Sequence, residues 1–274
     1  MKEILNDAQA RKYGVGFYNG YSVEMIMAYI KAAEDMRSPI IIGTAESLLE
    51  YCDFEWVAPL MLEAARNAKV PVAVHLDHAY SFGVIMKALR WGFGSVMFDG
   101  SVLPIEENIA ISAEISKIAH AMGVGLECEL GKVGGLAEGH GVVGKNILTD
   151  ARDAADFVEK TNADFLAISI GTTHGVYKEA PALDLGRLAE IRKNVDIALV
   201  LHGGSGLSKD DFRNCIAGGI QKVNIYTDVT IAAIEAIREK AKTTDYIGTL
   251  KAAKEAIYNT VTEKIQTFGS TNKA

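Results

Sequence analysis

The feature that most constrains this chain is a recurrence. Eight short runs rich in β-branched and apolar residues each lead into a polar or glycine-containing turn and then into a helical pattern. The runs fall at 14–17, 39–43, 72–76, 95–98, 125–130, 165–170, 198–201 and 222–225. Several are almost continuously apolar, as parallel strands covered on both faces should be. Between them, Ile111, Ile115, Ile118 and Met122 step by four, three and four, which draws one apolar stripe along a helix. Pro104 stands near the start of that helix, with Glu106 and Glu107 in its first turn, and all three are favourable there. Segments 229–241 and 250–268 read as two further helices. Strand and helix alternating eight times predict an α/β fold, a (β/α)8 TIM barrel that takes residues 1–274 as a single domain. The length agrees, because such barrels use about 250 residues. A doubly wound open sheet is the competing architecture. It usually has fewer strands and a glycine-rich first turn, and Asn19-Gly-Tyr-Ser lacks the GxGxxG spacing.

Composition narrows the partners. Apolar residues make up 49% of the chain, enough for a large core, and the charged fraction of 23% is too ordinary for a disordered chain. A net charge of −7 argues against a nucleic-acid partner, which would call for a basic face. It leaves room for a small anion, because backbone amides bind phosphate locally. The odd cysteine count, Cys52, Cys128 and Cys215, fits no disulfide framework and points to a reducing cytoplasm. The first residues lack the apolar core of a signal peptide, and no apolar run approaches the roughly 20 residues that span a bilayer. A cytoplasmic protein with no membrane partner is expected.

In barrels of this kind the active site lies at the carboxyl ends of the strands. Applied run by run, that rule collects polar residues on one rim: Asp77 and His78 after the third, Asp99 after the fourth, Glu127 and Glu129 at the end of the fifth, and His174 after the sixth. His202 follows the seventh, and Asn224 through Asp228 close the eighth. Three of the chain's six histidines therefore sit on the same rim. Any one alone is more simply an isolated hydrogen-bonding histidine. Three imidazoles with one open position make a catalytic zinc site. His75, two residues below Asp77 on the same side of its strand, reads as a core or supporting residue, His120 as surface or structural, and His140 as open to either reading. Gly203, Gly204, Ser205 and Gly206, with Thr227 and Asp228, suit the phosphate cradle that barrels often build after their last two strands, although turn and cap chemistry explains the same residue types. Ser208 with Asp211 reads as a helix cap. The loop 131–144 carries six glycines and reads as a mobile lid bearing Glu138 and His140, or as a merely flexible surface loop.

These residues carry a resemblance. His75-Leu-Asp-His78, Met97-Phe-Asp-Gly-Ser101, Glu127-Cys-Glu-Leu-Gly131, Ile170-Gly-Thr-Thr-His-Gly175, Leu201-His-Gly-Gly-Ser-Gly206, Val223-Asn-Ile-Tyr-Thr-Asp228 and Phe268-Gly-Ser270 occur in this order across nearly the whole chain. Together they resemble the class II, metal-dependent fructose-bisphosphate and tagatose-bisphosphate aldolases. The resemblance implies that His78, His174 and His202 ligate zinc and that Asp77 is the catalytic acid/base. It implies that Asp99 and Glu129 hold a second metal or steer the first. It implies that Asn19, Gly175, Gly203, Gly204, Ser205, Asn224, Ile225, Tyr226 and Thr227 bind a phosphosugar substrate. A monovalent cation, Na+ or K+, near the phosphate and a homodimer or homotetramer are further family expectations. Aldol cleavage of a ketose phosphate leaves an enediolate on dihydroxyacetone phosphate, and a divalent metal stabilises such a charge as a Lewis acid. No lysine is an obvious Schiff-base candidate: Lys222 begins its strand at the far end of the barrel, and Lys132 and Lys178 lie in loops.

The chain also departs from the family. The usual lid reads Gly-Gly-Glu/Gln-Glu-Asp, whereas here it is Gly134-Gly-Leu-Ala-Glu138, so Ala137 replaces the lid glutamate and Glu138 is the catalytic candidate one residue on. Ala45 replaces a serine, Tyr226 an aspartate or alanine, and Ile247 an arginine that helps hold the distal phosphate, for which Lys254 is a partial substitute. The leading expectation is an aldolase similar to those acting on fructose or tagatose 1,6-bisphosphate. The alternatives are an aldolase for a ketose 1-phosphate with an altered distal end, a catalytically impaired sugar-phosphate-binding homologue, and a metal-dependent barrel isomerase or epimerase.

Overall fold

The computed structural model describes residues 1–136, 142–143, 146–177 and 181–274. Eight parallel strands close into a barrel: β1 (Val15–Asn19), β2 (Ile40–Ala45), β3 (Val72–Ala79), β4 (Ser95–Phe98), β5 (Gly125–Leu130), β8 (Phe165–Ile168), β10 (Ala198–Leu201) and β11 (Ile220–Ile225). Every expected run is a barrel strand, with ends displaced by at most three residues. The barrel closes where Val15 to Tyr18 of β1 pair with Lys222 to Ile225 of β11. Helices α1 (Lys2–Arg11), α2 (Val23–Asp35), α3 (Phe54–Asn67), α4 (Phe82–Trp91), α5 (Ile105–Ala121), α6 (Ala151–Thr161), α7 (Leu185–Asn194), α8 (Lys209–Ala217), α9 (Thr227–Lys240) and α10 (Tyr246–Phe268) accompany it. Among the described residues no helix is long and apolar enough to cross a membrane.

Two apolar clusters lie on opposite sides of the barrel wall. The larger fills the space between strands and helices. The smaller sits inside the barrel, where Val15, Phe17, Ile41, Ala73, Phe165, Ala167, Ala198 and Val200 pack with Leu5, Ala8 and Tyr13. Helix α1 thus helps close the amino-terminal end of the barrel, and each fully buried side chain of Leu or Phe size contributes roughly 1.5–3 kcal/mol. Side chains along a strand alternate, so every second residue faces inward. Followed toward the carboxyl end, the inward series turns polar: Phe17 gives way to Asn19 and Ala73 to His75 and Asp77, with Glu127 and Glu129 on β5 and Lys222 and Asn224 on β11, all buried. Gly43 on β2 makes room for this crowding, since a Cβ there would collide with the His75 carbonyl oxygen and lie 2.7 Å from the Phe17 ring.

One expectation needs correction. Ile111, Ile115 and Ile118 of α5 pack against the core as expected, but Met122 lies just past the helix and is 53% exposed, and the buried face also includes Asn108, Ser112 and Ser116. Those polar groups are satisfied, Asn108 donating to the Glu129 carbonyl at 3.1 Å and Ser116 to the Asn162 carbonyl at 3.0 Å. The segment expected to be a lid carries short strands, β6 (Gly134–Leu136) and β7 (Val142–Val143), which form a small sheet with β9 (Thr173–His174). Ala137, Glu138 and His140, and Lys178 of the next loop, lie outside the described residues. Lys254 lines a groove with residues of α2 and α3.

Candidate metal centre and active site

The site grows from β3. In a regular strand Asp77 and His78 would point to opposite faces. His78 instead takes φ 28°, and the pairing register between β3 and β4 shifts between Leu76 and Ala79. A non-glycine residue in this region costs on the order of 1–3 kcal/mol, and the neighbourhood holds it there. Asp99 accepts from His78 Nδ1 at 2.9 Å. Glu46 accepts from the backbone N–H of Tyr80 at 2.7 Å and of Ser81 at 2.9 Å, fixing the chain just beyond. Both Asp77 and His78 therefore reach the barrel interior.

Asp77 is fully buried and receives two amides, Asn19 Nδ2 at 2.9 Å on one oxygen and Asn224 Nδ2 at 3.0 Å on the other. Burial opposes its ionisation, but the charges of His78 and Lys222 outweigh burial and hold the carboxyl below its ordinary range. Donor atoms of His78, His174 and His202 all lie within 4.8 Å of one another, and those of His78, Asp99 and Glu129 form a second such group. Glu129 accepts from the Val133 N–H at 3.2 Å, and its other oxygen is buried without a hydrogen-bond partner. Burial, then the nearby Asp99, raises its pKa well above normal.

The histidines are arranged for a cation. A carboxylate can only accept, so Asp99 fixes a proton on His78 Nδ1 and leaves Nε2 as the nitrogen free to lose its proton and ligate a metal. Glu127 accepts from His202 Nε2 at 2.9 Å, which leaves a lone pair on Nδ1. These two nitrogens face each other at 2.8 Å, where a protonated His78 Nε2 donates to His202 Nδ1. Both ring nitrogens of His174 are buried without a hydrogen-bond partner. Burial opposes charging His78, but Asp77, Asp99 and Glu129 outweigh it and raise its pKa to about 10. Burial, together with the charge of His78 and His202, pushes His174 down to about 3. Three imidazoles pointing together among carboxylates fit a divalent metal of the zinc type, which would take the place of the positive charge that these carboxylates stabilise on His78.

The cradle after β10 and β11 is also assembled. Gly203 has φ 65°, and a Cβ there would meet the Thr173 carbonyl oxygen at 2.5 Å, so the seventh-strand loop can approach His174 only as glycine. Tyr177 donates from its hydroxyl to the Gly203 carbonyl at 2.7 Å, tying the two loops together. Ser205 Oγ accepts from the backbone N–H of Tyr226 at 3.3 Å and of Asp228 at 3.2 Å, so it already serves as a cap for α9. Gly175, Gly204 and Thr227 lie on the same end of the barrel. The side chain of Ile225 is buried in the strand–helix core, which leaves only its backbone for a ligand. Ser208 and Asp211 form the expected capping box.

Sequence reasoning misses the layer beneath. By position alone Glu127 is one rim carboxylate among several, and Lys222 falls at the far end of the barrel. The structure corrects this: Lys222 is fully buried, with Nζ 2.8 Å from Glu127 and 4.0 Å from Asp77. The Glu127 ion pair occupies the amine that imine formation would need free. His75 is buried in the same layer, 2.8 Å from Ser95 Oγ, as its supporting reading requires. His120 is a structural residue, 2.7 Å from Asp164. The available signal for Lys222 and Glu127 is the period of two, which sets them on the same face as Asn224 and Glu129.

Comparison with known proteins places the chain in a family. The family model described as fructose-bisphosphate aldolase class-II matches residues 1–273. The chain belongs to the class II fructose-bisphosphate aldolase family. It is 38% identical to the sulfofructosephosphate aldolase of Alkalicoccus urumqiensis, over 100% of this chain and 97% of that protein. It is 39% identical to a probable fructose-bisphosphate aldolase of Bacillus subtilis, covering 100% and 98%. Among solved structures, the YdjI aldolase from Escherichia coli superposes with a TM-score of 0.90 at 34% identity, covering 100% of this chain and 98% of that one. The (β/α)8 architecture and the family resemblance are thus both borne out.

Proposed function

We propose that this family member is a metal-dependent aldolase that reversibly cleaves a ketose phosphate into dihydroxyacetone phosphate and an aldehyde, with zinc as its metal. The observation that carries the reading is the convergence of His78, His174 and His202 beside a buried, doubly hydrogen-bonded Asp77. When bound, the metal supplies Lewis-acid stabilisation of the negative charge left on the three-carbon fragment. Asp77 takes the proton from the C4 hydroxyl as the C3–C4 bond breaks. The C4 oxygen leaves as the aldehyde carbonyl, and the bonding electron pair stays on the fragment. Asn19 and Asn224 orient Asp77. Asp99 and Glu127 hold two imidazoles in the ligating tautomer, and Glu129 steers the metal or holds a second one. Gly175, Gly203, Gly204, Ser205, Thr227 and the backbone of Ile225 receive the phosphate, with Na+ or K+ nearby. Glu138 returns a proton to C3. The functional unit is a homodimer or homotetramer of single-barrel chains in the cytoplasm.

The test is a retro-aldol assay that traps triose phosphate, run before and after chelation. Chelation should abolish cleavage and added zinc restore it, with about one tight zinc per chain as in three-histidine catalytic sites. Full activity after chelation, or a borohydride-trapped adduct on a lysine, overturns the mechanism.

One observation favours a second reading of the substrate. Tyr226 lies next to Tyr21, hydroxyl to hydroxyl at 3.4 Å, and the Tyr21 ring centroid is 5.1 Å from that of Tyr51. These aromatics stand on the loops after three neighbouring strands, β11, β1 and β2. Ile247, the residue aligned with the distal-phosphate arginine, is 60% exposed at the start of α10 and offers no charge. An arginine–phosphate contact is among the stronger charge-assisted hydrogen bonds. A ketose 1-phosphate whose far end is not a phosphate suits such a wall better. The names of the relatives already span a second phosphate and a sulfo group.

A further inference from the structure

The buried ion pair beneath the histidines calls for a reason. Pairs of this kind are seldom more stabilising than apolar residues of similar volume. Lys222 and Glu127 are both fully buried, and Lys222 Nζ also lies 4.5 Å from the Phe17 ring centroid. The chemistry of the hydrogen bonds supplies the reason. Lys222 can only donate and a carboxylate can only accept. Lys222 engages Glu127 Oε2 at 2.8 Å, which leaves Oε1 to face His202 Nε2 at 2.9 Å. His202 must then carry its proton on Nε2. A second neighbour pulls the other way: Asn224 Nδ2 lies 3.4 Å from the same His202 nitrogen, and an amide N–H favours a bare nitrogen there.

We propose that the Lys222–Glu127 pair is a positioning device that locks His202 in its Nε2–H tautomer against the pull of Asn224, so that Nδ1 is presented to the metal. The proposal rests on the three-histidine reading above. In this role Glu127 and Lys222 act through His202.

Glu127→Gln separates this role from a merely structural one. Glutamine offers one acceptor and one donor. Lys222, which can only donate, takes the amide oxygen, so the amide N–H turns to His202 Nε2 and forces the proton onto Nδ1. Zinc affinity, measured by competition with a chromophoric chelator, should fall roughly 10–100-fold, as it does when residues supporting metal ligands are lost. Adding Lys222→Met removes the competing donor. The oxygen of the introduced amide can then accept from His202, and most of the lost affinity should return. A purely structural role predicts the reverse, because the double variant has lost more of the original network. Wild-type affinity in Glu127→Gln, or a double variant that binds zinc no better than the single one, overturns the proposal. Nitrogen NMR of the His202 ring in the unsubstituted, zinc-free protein gives a test that needs no variant to fold: Nε2–H is expected, and a dominant Nδ1–H form refutes it. An unsubstituted chain that binds no zinc at all would instead sink the three-histidine reading.

Discussion

Replacing Asp77 by asparagine tests the proposed chemistry most directly, because the structure separates its two consequences. Asp77 accepts one amide on each oxygen, from Asn19 at 2.9 Å and from Asn224 at 3.0 Å. An asparagine has one oxygen, so one of those two donors must face another N–H. A buried donor left unpaired costs about 1–3 kcal/mol. The chemical cost is separate. Losing a general base typically slows a reaction by about 10²–10⁴-fold, or roughly 2.7–5.5 kcal/mol in the barrier. The expected result is a folded protein with a lowered melting temperature, intact zinc content and turnover reduced by two to four orders of magnitude. A second substitution separates the causes. In Asp77→Asn/Asn19→Asp the new carboxylate at 19 accepts from the amide at 77, whose oxygen accepts from Asn224. Hydrogen bonding and net charge are restored while the base stays displaced. Stability should recover and activity should not. Wild-type turnover in Asp77→Asn removes Asp77 from the mechanism. Activity that returns with stability in the double variant shows that the loss was structural.

Two further outcomes bear on the parts of the site that differ from the family pattern. If Glu138 returns the proton to the three-carbon fragment, Glu138→Ala should slow hydrogen exchange at that carbon of dihydroxyacetone phosphate more than it slows bond cleavage; unchanged exchange points to another acid. If the tyrosine wall selects the distal end, kcat/KM for a ketose 1-phosphate without a distal phosphate should exceed that for fructose 1,6-bisphosphate, and Tyr226→Asp should raise the latter. A clear preference of the unsubstituted enzyme for fructose 1,6-bisphosphate refutes that selectivity.

The barrel is legible in the sequence because its strands are buried on both faces and therefore announce themselves as apolar runs. The rim is legible for a related reason: polar residues at or just past the ends of such runs, as at Asp99, Glu129, His202 and Asn224, have no core role to explain them. What stays hidden is what one-dimensional periodicity cannot express. The side-chain direction of His78 depends on φ 28° and a register shift, neither of which has a sequence signature. The polar part of the buried face of α5 escapes a periodicity that counts apolar residues only. Asn108 and Ser116 are buried because β5 and the end of α6 offer them carbonyls.

Lys222 shows why the interior layer is harder to read than the rim. Its position near the start of a strand points away from the chemistry, and a lysine inside a barrel contradicts ordinary burial preferences. Both objections fail for one geometric reason. The side chain of residue 222 faces inward, one alternation below Asn224, and a four-carbon stem carries its charge on toward Glu127 and Asp77. The apolar floor made by Phe17, Ala73 and Val200 ends just below that charge, and the metal-facing imidazoles begin just above it. A charge placed between a dry floor and a ligand cluster has nowhere to be solvated except by the residues it orders. Removing one member of the layer must therefore alter the hydrogen-bond sense of the next, which is why the expected response to Glu127→Gln is a change in which His202 nitrogen is free and why removing the neighbouring charge should restore it.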